Sequence, residues 1–237
     1  MRGQRFLASS IPTPVVRFET APGLQAQADW SELGRHRIGD DLLAVHLFVM
    51  ILGYSRVMFA RATTSADTDS FLGCHVDAFE SFGGMPAEVL YDNAKVVVIS
   101  RGRDRIRFNP AFLDFAGRYG FAPRLCRPYR ARTKGKVERI IGYVKDRFLV
   151  GRTFTGIDDL NEQLAFWVES KANRRIHAST GERPCDRLMR EKLVPFDQAL
   201  PWKRTPAPVL RTTKPRFRFE EPRVEIRELS VYEEVCR

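Results

Sequence analysis

The stretch LQAQADWSELGRHRIGDDLLAVHLFVMILGYSRVMFARATT, Leu24 to Thr64, decides the fold. It holds three runs rich in β-branched, aromatic and aliphatic residues: LQAQADWSEL, LLAVHLFVMIL and SRVMFARATT. Turn signals separate them, at Gly34 to Asp41 and at Gly53-Tyr54-Ser55. Consecutive strands joined by short turns pair with one another, so the stretch predicts a three-stranded antiparallel meander. Its most apolar run, Leu42 to Gly53, is too short to span a bilayer and carries His46.

Working outward, DSFLGCHVDAFESF (Asp69 to Phe82) sets Phe71, Leu72, His75, Phe79 and Phe82 at helical spacing, and Gly83-Gly84 stops the run. AEVLYDN reads as a short buried strand with a polar end. NPAFLDFAGRY (Asn109 to Tyr119) reads as a helix capped by Asn109 with Pro110 at its first position. FAPRLCRP gives one more strand, and a helix follows it. Three strands, helix, strand, helix, strand, helix is an α/β order of the ribonuclease H type: a five-stranded mixed sheet with flanking helices, in which parallel strands extend an antiparallel meander.

Composition limits the partners. The 237 residues carry 39 Lys and Arg against 29 Asp and Glu, a formal charge of +10, which makes a polyanion the expected partner. Cys74, Cys126, Cys185 and Cys236 form no CxxC pair and do not cluster with the four histidines, so neither a zinc module nor a disulfide framework is supported. The N-terminus lacks a continuous apolar signal core, and the expectation is an intracellular protein without a membrane segment. Residues 1–22 read as a linker, 23–152 as the catalytic-type core, 153–195 as a helical extension and 196–237 as a partial, β-rich C-terminal segment.

Within the last core helix, KGKVERIIGYVK (Lys134 to Lys145) sets one acid, Glu138, among bases. At about 100° per residue, Val137, Ile140, Ile141, Val144 and Phe148 share one stripe, with Glu138 and Lys145 together at its edge, roughly 10 Å apart along the axis. Between Arg124 and Arg152 the bases include Arg130, Arg132, Lys134, Lys136 and Arg139, against only Glu138 and Asp146. Such a run is expected to contact phosphates rather than to read bases. A phosphate repels an acid unless a cation lies between them, and Mg²⁺ or Mn²⁺, bound by carboxylates in pairs, is the cation that phosphoryl transfer uses. The expected companions are Asp29, within the first strand, and Asp92, at the end of VLYD, since this fold places those strands side by side beneath the last helix. Alone, Asp29 reads equally well as an edge-strand acid and Asp92 as an Asx-turn acid. The coincidence of three acids at three such places favours a metal site. Asn93 and Lys95 read as ligand-orienting or as plain turn residues.

QADW, VLYDNAK, RPYRARTKGKVERIIGYVKDRF and NRRIHASTGERPCDRL resemble the IstA-type transposases of bacterial insertion sequences, within the retroviral-integrase-like superfamily that carries an Asp-Asp-Glu triad. The resemblance covers Gln25 to Leu188. It implies Asp29, Asp92 and Glu138 as the triad holding two Mg²⁺ or Mn²⁺ ions per active site, and Lys145 as a contact to transposon-end DNA. The intervals, 92 − 29 = 63 and 138 − 92 = 46, suit the insertion-sequence branch. The implied activity is DNA strand cleavage and strand transfer, with transposon ends and target DNA as partners, a homo-oligomer on DNA, an IstB-type helper ATPase, and the bacterial cytoplasm or nucleoid as the location. Family members begin with helix-turn-helix modules, and no such module is read before Gln25. A truncated, non-catalytic DNA-binding remnant or regulator therefore stands as the alternative, with an unrelated ribonuclease H-like nuclease as a third reading. His177, in the downstream motif, is read as structural.

Overall fold

The computed structural model describes residues 20–92, 96–101, 106–126 and 140–195. Asn93, Lys95, Arg130, Arg132, Lys134, Lys136, Glu138, Arg139 and the segment 196–237 lie outside the described residues.

The meander is present as β1 (Gln25–Ile38), β2 (Asp41–Leu52) and β3 (Met58–Thr63). β1 is longer than the sequence suggests. It does not turn at Gly34 but runs on to Ile38, and the turn is confined to Gly39 and Asp40. The pairing with β2 shifts between Glu32 and Gly34, where Gly34 takes φ 93°. One extra residue there inverts the alternation. Leu33, the extra residue at the shift, and Ile38 beyond it therefore serve the same apolar face, and a glycine read as a turn belongs to the bulge that lets the strand continue.

α1 (Thr68–Phe82) begins at Asp67, whose side chain accepts the Ser70 N–H, and ends at left-handed Gly83. β4 (Glu88–Tyr91) follows. Then comes a small antiparallel hairpin absent from the sequence reading, β5 (Val98–Arg101) and β6 (Ile106–Phe108). α2 (Pro110–Tyr119) has the expected Asn109 cap, and β7 (Ala122–Leu125) completes the sheet. The strand order is β3-β2-β1-β4-β7. β2 runs antiparallel to β1 and β3, whereas β1, β4 and β7 are parallel.

Helices cover both faces. Ala26, Ala28, Phe48, Met50, Val89 and Tyr91 face α1 and α2 through Phe71, Phe79, Phe112 and Phe115. The opposite face of β2 and β3 packs against two further helices. α3, described from residue 140, is α-helical to 144 and widens into a π-helical turn at Lys145–Leu149. α4 (Ile157–Trp167) likewise widens into a π turn, Val168–Ala172. Ile140, Ile141, Val144 and Phe148 join Leu160, Leu164 and Trp167 in this core, the stripe the sequence predicts. A five-residue α5 (Pro184–Leu188) ends the helical extension.

The segment after α4 is tied back to the sheet. Glu191 accepts the main-chain N–H groups of Gly23 at 2.6 Å and Ser55 at 2.9 Å, and Val194 bridges Met85. Arg187, buried, donates to Glu182 at 2.9 Å and to the Tyr54 carbonyl at 3.2 Å. His177 sits in this turn beside Ser179 at 3.0 Å, its pKa lowered by burial and by Arg175, Arg56 and Arg187. Arg187, Glu191 and Val194, downstream of NRRIHASTGERP, thus tie the helical extension to the sheet edge and its loops.

Candidate active site

Asp29 lies on β1, the central strand of the sheet, and strand alternation sets the face it takes. In β1, Ala26 and Ala28 belong to the core under α1 and α2, so Gln27 and Asp29 point to the other face. Val49, the cross-strand partner of Asp29, lies in the α3–α4 core and confirms the side. The Asp29 carboxylate is half-buried and accepts the main-chain N–H of Trp30 at 2.8 Å, with the Ser31 hydroxyl 3.5 Å away.

Asp92 follows Tyr91, the last residue of β4. Ala28 on β1 is the register partner of Tyr91 on parallel β4. Asp29 and Asp92 are therefore each the next residue beyond a paired position, on strands about 4.8 Å apart. Val89 and Tyr91 enter the α1–α2 core, so the alternation carries Leu90 and then Asp92 to the face of Asp29. At the other end of the same two strands the pairing is reinforced by side chains. Gln25 donates to Glu88 at 2.6 Å, and Glu88 also accepts from Arg124 on β7 at 2.9 Å.

Behind the acids the sheet is backed by an aromatic block that includes one buried polar pair. His75, on α1, is fully buried; its Nδ1 lies 2.8 Å from the Phe71 carbonyl and its Nε2 2.8 Å from the Tyr91 hydroxyl. A carbonyl only accepts, so Nδ1 carries the proton and the Tyr91 hydroxyl donates to Nε2. Burial lowers the His75 pKa to about 4 and pushes that of Tyr91 well up, leaving both neutral. The sequence placed His75 on the apolar helix face but held no signal for its partner.

Of the residues expected at the site, Asp29 and Asp92 each lie one residue beyond the paired positions Ala28 and Tyr91 on adjacent strands. Lys145 is exposed at the start of the π turn of α3, just after buried Val144. Because the helix widens there, the regular 100° phase extends only to Lys145. Glu138 and the bases Arg130, Arg132, Lys134, Lys136 and Arg139 lie outside the described residues. Among the described residues, no group of three or more His, Cys, Asp or Glu side chains is gathered to hold a metal ion.

Two models of the integrase core domain match the chain, one over residues 19–131 and one over residues 119–184. The transposase of insertion sequence element IS21 from Pseudomonas aeruginosa is 39% identical over 178 residues, covering 75% of this chain and 45% of that protein. The chain belongs to the IS21-type insertion-sequence transposases. This transposase-family chain is also 46% identical over 181 residues to the protein assigned to element IS5376 of Geobacillus stearothermophilus as its transposase, covering 76% of this chain and 45% of that one. It spans about half the length of the curated relatives it matches. Among solved structures, a chain of the simian T-cell lymphotropic virus intasome in complex with PP2A regulatory subunit B56 gamma superposes with a TM-score of 0.52 at 15% identity, covering 82% of this chain and 64% of that one. That likeness concerns the fold: an integrase catalytic core. No described helix of the transposase-family chain is long and apolar enough to cross a membrane.

Proposed function

We propose that this chain is the catalytic part of a transposase that cuts DNA at transposon ends and joins the freed 3′ ends to target DNA, using Asp29, Asp92 and Glu138. The observation that supports the reading is the pairing of Ala28 with Tyr91, the residues just before Asp29 and Asp92, on adjacent strands of an integrase-type sheet. Adjacent carboxylates are hard oxygen donors of the kind Mg²⁺ and Mn²⁺ take. Glu138, two residues before Ile140 in the chain, is the proposed third ligand. Two such ions, when bound, would activate the attacking oxygen and stabilise the leaving one.

The residues of the chain supply the rest. Asp29 and Asp92, held on paired strands, fix the donor geometry before DNA arrives. Lys145 and the bases Arg130, Arg132, Lys134, Lys136 and Arg139 neutralise DNA phosphates around the acids. Joining two ends to one target calls for at least two copies of the chain, and an IstB-type ATPase is the proposed helper.

The test is strand transfer of pre-cut transposon-end DNA into a target plasmid in Mn²⁺, comparing the unaltered chain with Glu138→Gln and Asp92→Asn. Product from the unaltered chain and none from either variant is the expected result. Equal product from all three would remove the catalytic assignment.

A further inference from the structure

We propose that His75 and Tyr91 are positioning residues for the acidic site: a buried hydrogen-bonded pair that, from the far side of the sheet, fixes where Asp92 stands relative to Asp29. The inference rests on the metal-site reading above and goes beyond it, because neither residue touches the face on which the acids lie.

The geometry is specific. Tyr91 is the residue before Asp92 and the register partner of Ala28, which precedes Asp29. Its side chain runs from the sheet into the α1–α2 core, 1% exposed, and its hydroxyl ends on His75 Nε2 at 2.8 Å. His75 is itself pinned by its second nitrogen to the Phe71 carbonyl at 2.8 Å. The same Phe71 ring stacks on Trp30, centroids 5.2 Å apart and planes 23° apart, and Trp30 follows Asp29 and donates its main-chain N–H to that carboxylate at 2.8 Å. One turn of α1 therefore grips the residue after the first acid and the residue before the second.

Packing alone does not call for this pair. Phe48, Phe71, Phe79, Phe112, Phe115 and Phe121 surround His75 with ring centroids between 4.5 and 6.5 Å. In such a setting two apolar residues of similar shape would serve stability about as well as a hydrogen-bonded polar pair. An apolar ring, however, can slide and rotate among other rings. A hydroxyl seated on one lone pair of a histidine of fixed tautomer has a single position, and buried, fully satisfied pairs of this kind confer uniqueness on a core. Metal sites need that uniqueness, because groups that orient the ligands are typically worth 10- to 100-fold in metal affinity.

The experiment measures Mn²⁺ binding to the full chain with pre-cut end DNA by electron paramagnetic resonance, together with thermal unfolding. The variants are Tyr91→Phe, the double variant His75→Phe/Tyr91→Phe, and Asp92→Asn as the site control. The expected result is a Mn²⁺ affinity about tenfold or more weaker in Tyr91→Phe. The double variant, which leaves no buried polar atom unpaired, should regain thermal stability yet keep the weakened Mn²⁺ affinity. A double variant that regains both, or a Tyr91→Phe affinity within about twofold of the unaltered chain while Asp92→Asn loses Mn²⁺, would overturn the positioning role and leave the metal site standing. If Asp92→Asn binds Mn²⁺ like the unaltered chain, the metal-site reading falls, and the positioning role falls with it.

Discussion

Asn173 pairs with Met58 as if it were another strand: its side-chain oxygen accepts the Met58 N–H at 2.9 Å and its amide nitrogen donates to the Met58 carbonyl at 3.0 Å. Asn161 makes the same two-way contact with Ala62, at 2.8 and 3.0 Å. Both partners lie on β3, an outer strand of the sheet. Two asparagines from the helical extension thus occupy backbone groups that would otherwise template pairing with another chain. Asn173→Ala and Asn161→Ala are each expected to cost about 1 to 3 kcal/mol, because a part-buried donor and acceptor lose their partners together. Urea unfolding measures the loss. Light scattering at intermediate urea should show earlier aggregation in the double variant; unchanged midpoints would mean the amides merely decorate the edge.

The bulge in β1 offers a backbone test. Gly34 has φ 93°, and a Cβ built there meets nothing within 4 Å. Gly34→Ala therefore reports conformational strain without steric clash, expected at about 1 to 3 kcal/mol in denaturant unfolding. A neutral result would show that β1 can remove the bulge and shift its register. In that event the residues beyond it, among them Ile38, would change face.

Much of this was legible in the sequence, for physical reasons that differ from place to place. The capped helices were readable to within a residue because Gly83, Asn109 and Pro110 act locally. The adjacency of the strands leading to Asp29 and Asp92 was readable because a four-residue buried strand with a polar end has few places to sit in such a sheet. The length of β1 was not readable, since a glycine at positive φ serves a turn and a bulge equally. Nor were the His75–Tyr91 bond or the grip of Asn161 and Asn173 on β3, which join residues 16, 99 and 115 positions apart. Periodicity says which face a side chain takes but not whom it meets there. The β5–β6 hairpin escaped because its strands are only four and three residues long.

His75 makes a pH prediction with a definite sign. Its pKa is lowered by burial from 6.5 to about 4 in the folded chain. Above pH 6.5 the imidazole is neutral folded or unfolded, and stability does not depend on it. Between about 6.5 and about 4 only the unfolded chain takes up the proton, so stability falls as the solution is acidified, by about 3 kcal/mol over the whole window. His75→Phe should flatten this part of the curve, whatever it does to the plateau at neutral pH. Equal slopes for the two proteins, from urea unfolding at pH 7 and pH 4.5, would mean that His75 ionises in place.

Cysteine reactivity checks the same core chemically. Cys74 is buried, and burial pushes its thiol up to about 12, whereas Cys126 and Cys185 are half-buried. A thiol held neutral and out of reach does not attack a disulfide reagent. Brief labelling at pH 8 followed by peptide mass spectrometry should leave Cys74 unmodified in the native chain and modify it fully in urea. Native labelling of Cys74 at the rate of Cys185 would show that α1 opens away from the sheet, taking His75 and its hold on Tyr91 with it.

The DNA reading makes a prediction about salt. Between Arg124 and Arg152 the chain carries ten Lys and Arg against two acids. If this run and its neighbours neutralise roughly six to ten phosphates, affinity for duplex DNA should fall by about 10³ to 10⁵ between roughly 50 and 200 mM salt. Fluorescence anisotropy with labelled end DNA gives the slope directly. Lys145→Ala should lower that slope by about one phosphate's worth, with a similar loss on unrelated sequence, since a lysine facing a phosphate carries no base preference. A loss confined to transposon-end DNA would instead make Lys145 a reader of sequence, and an unchanged slope would place the DNA on another face of α3.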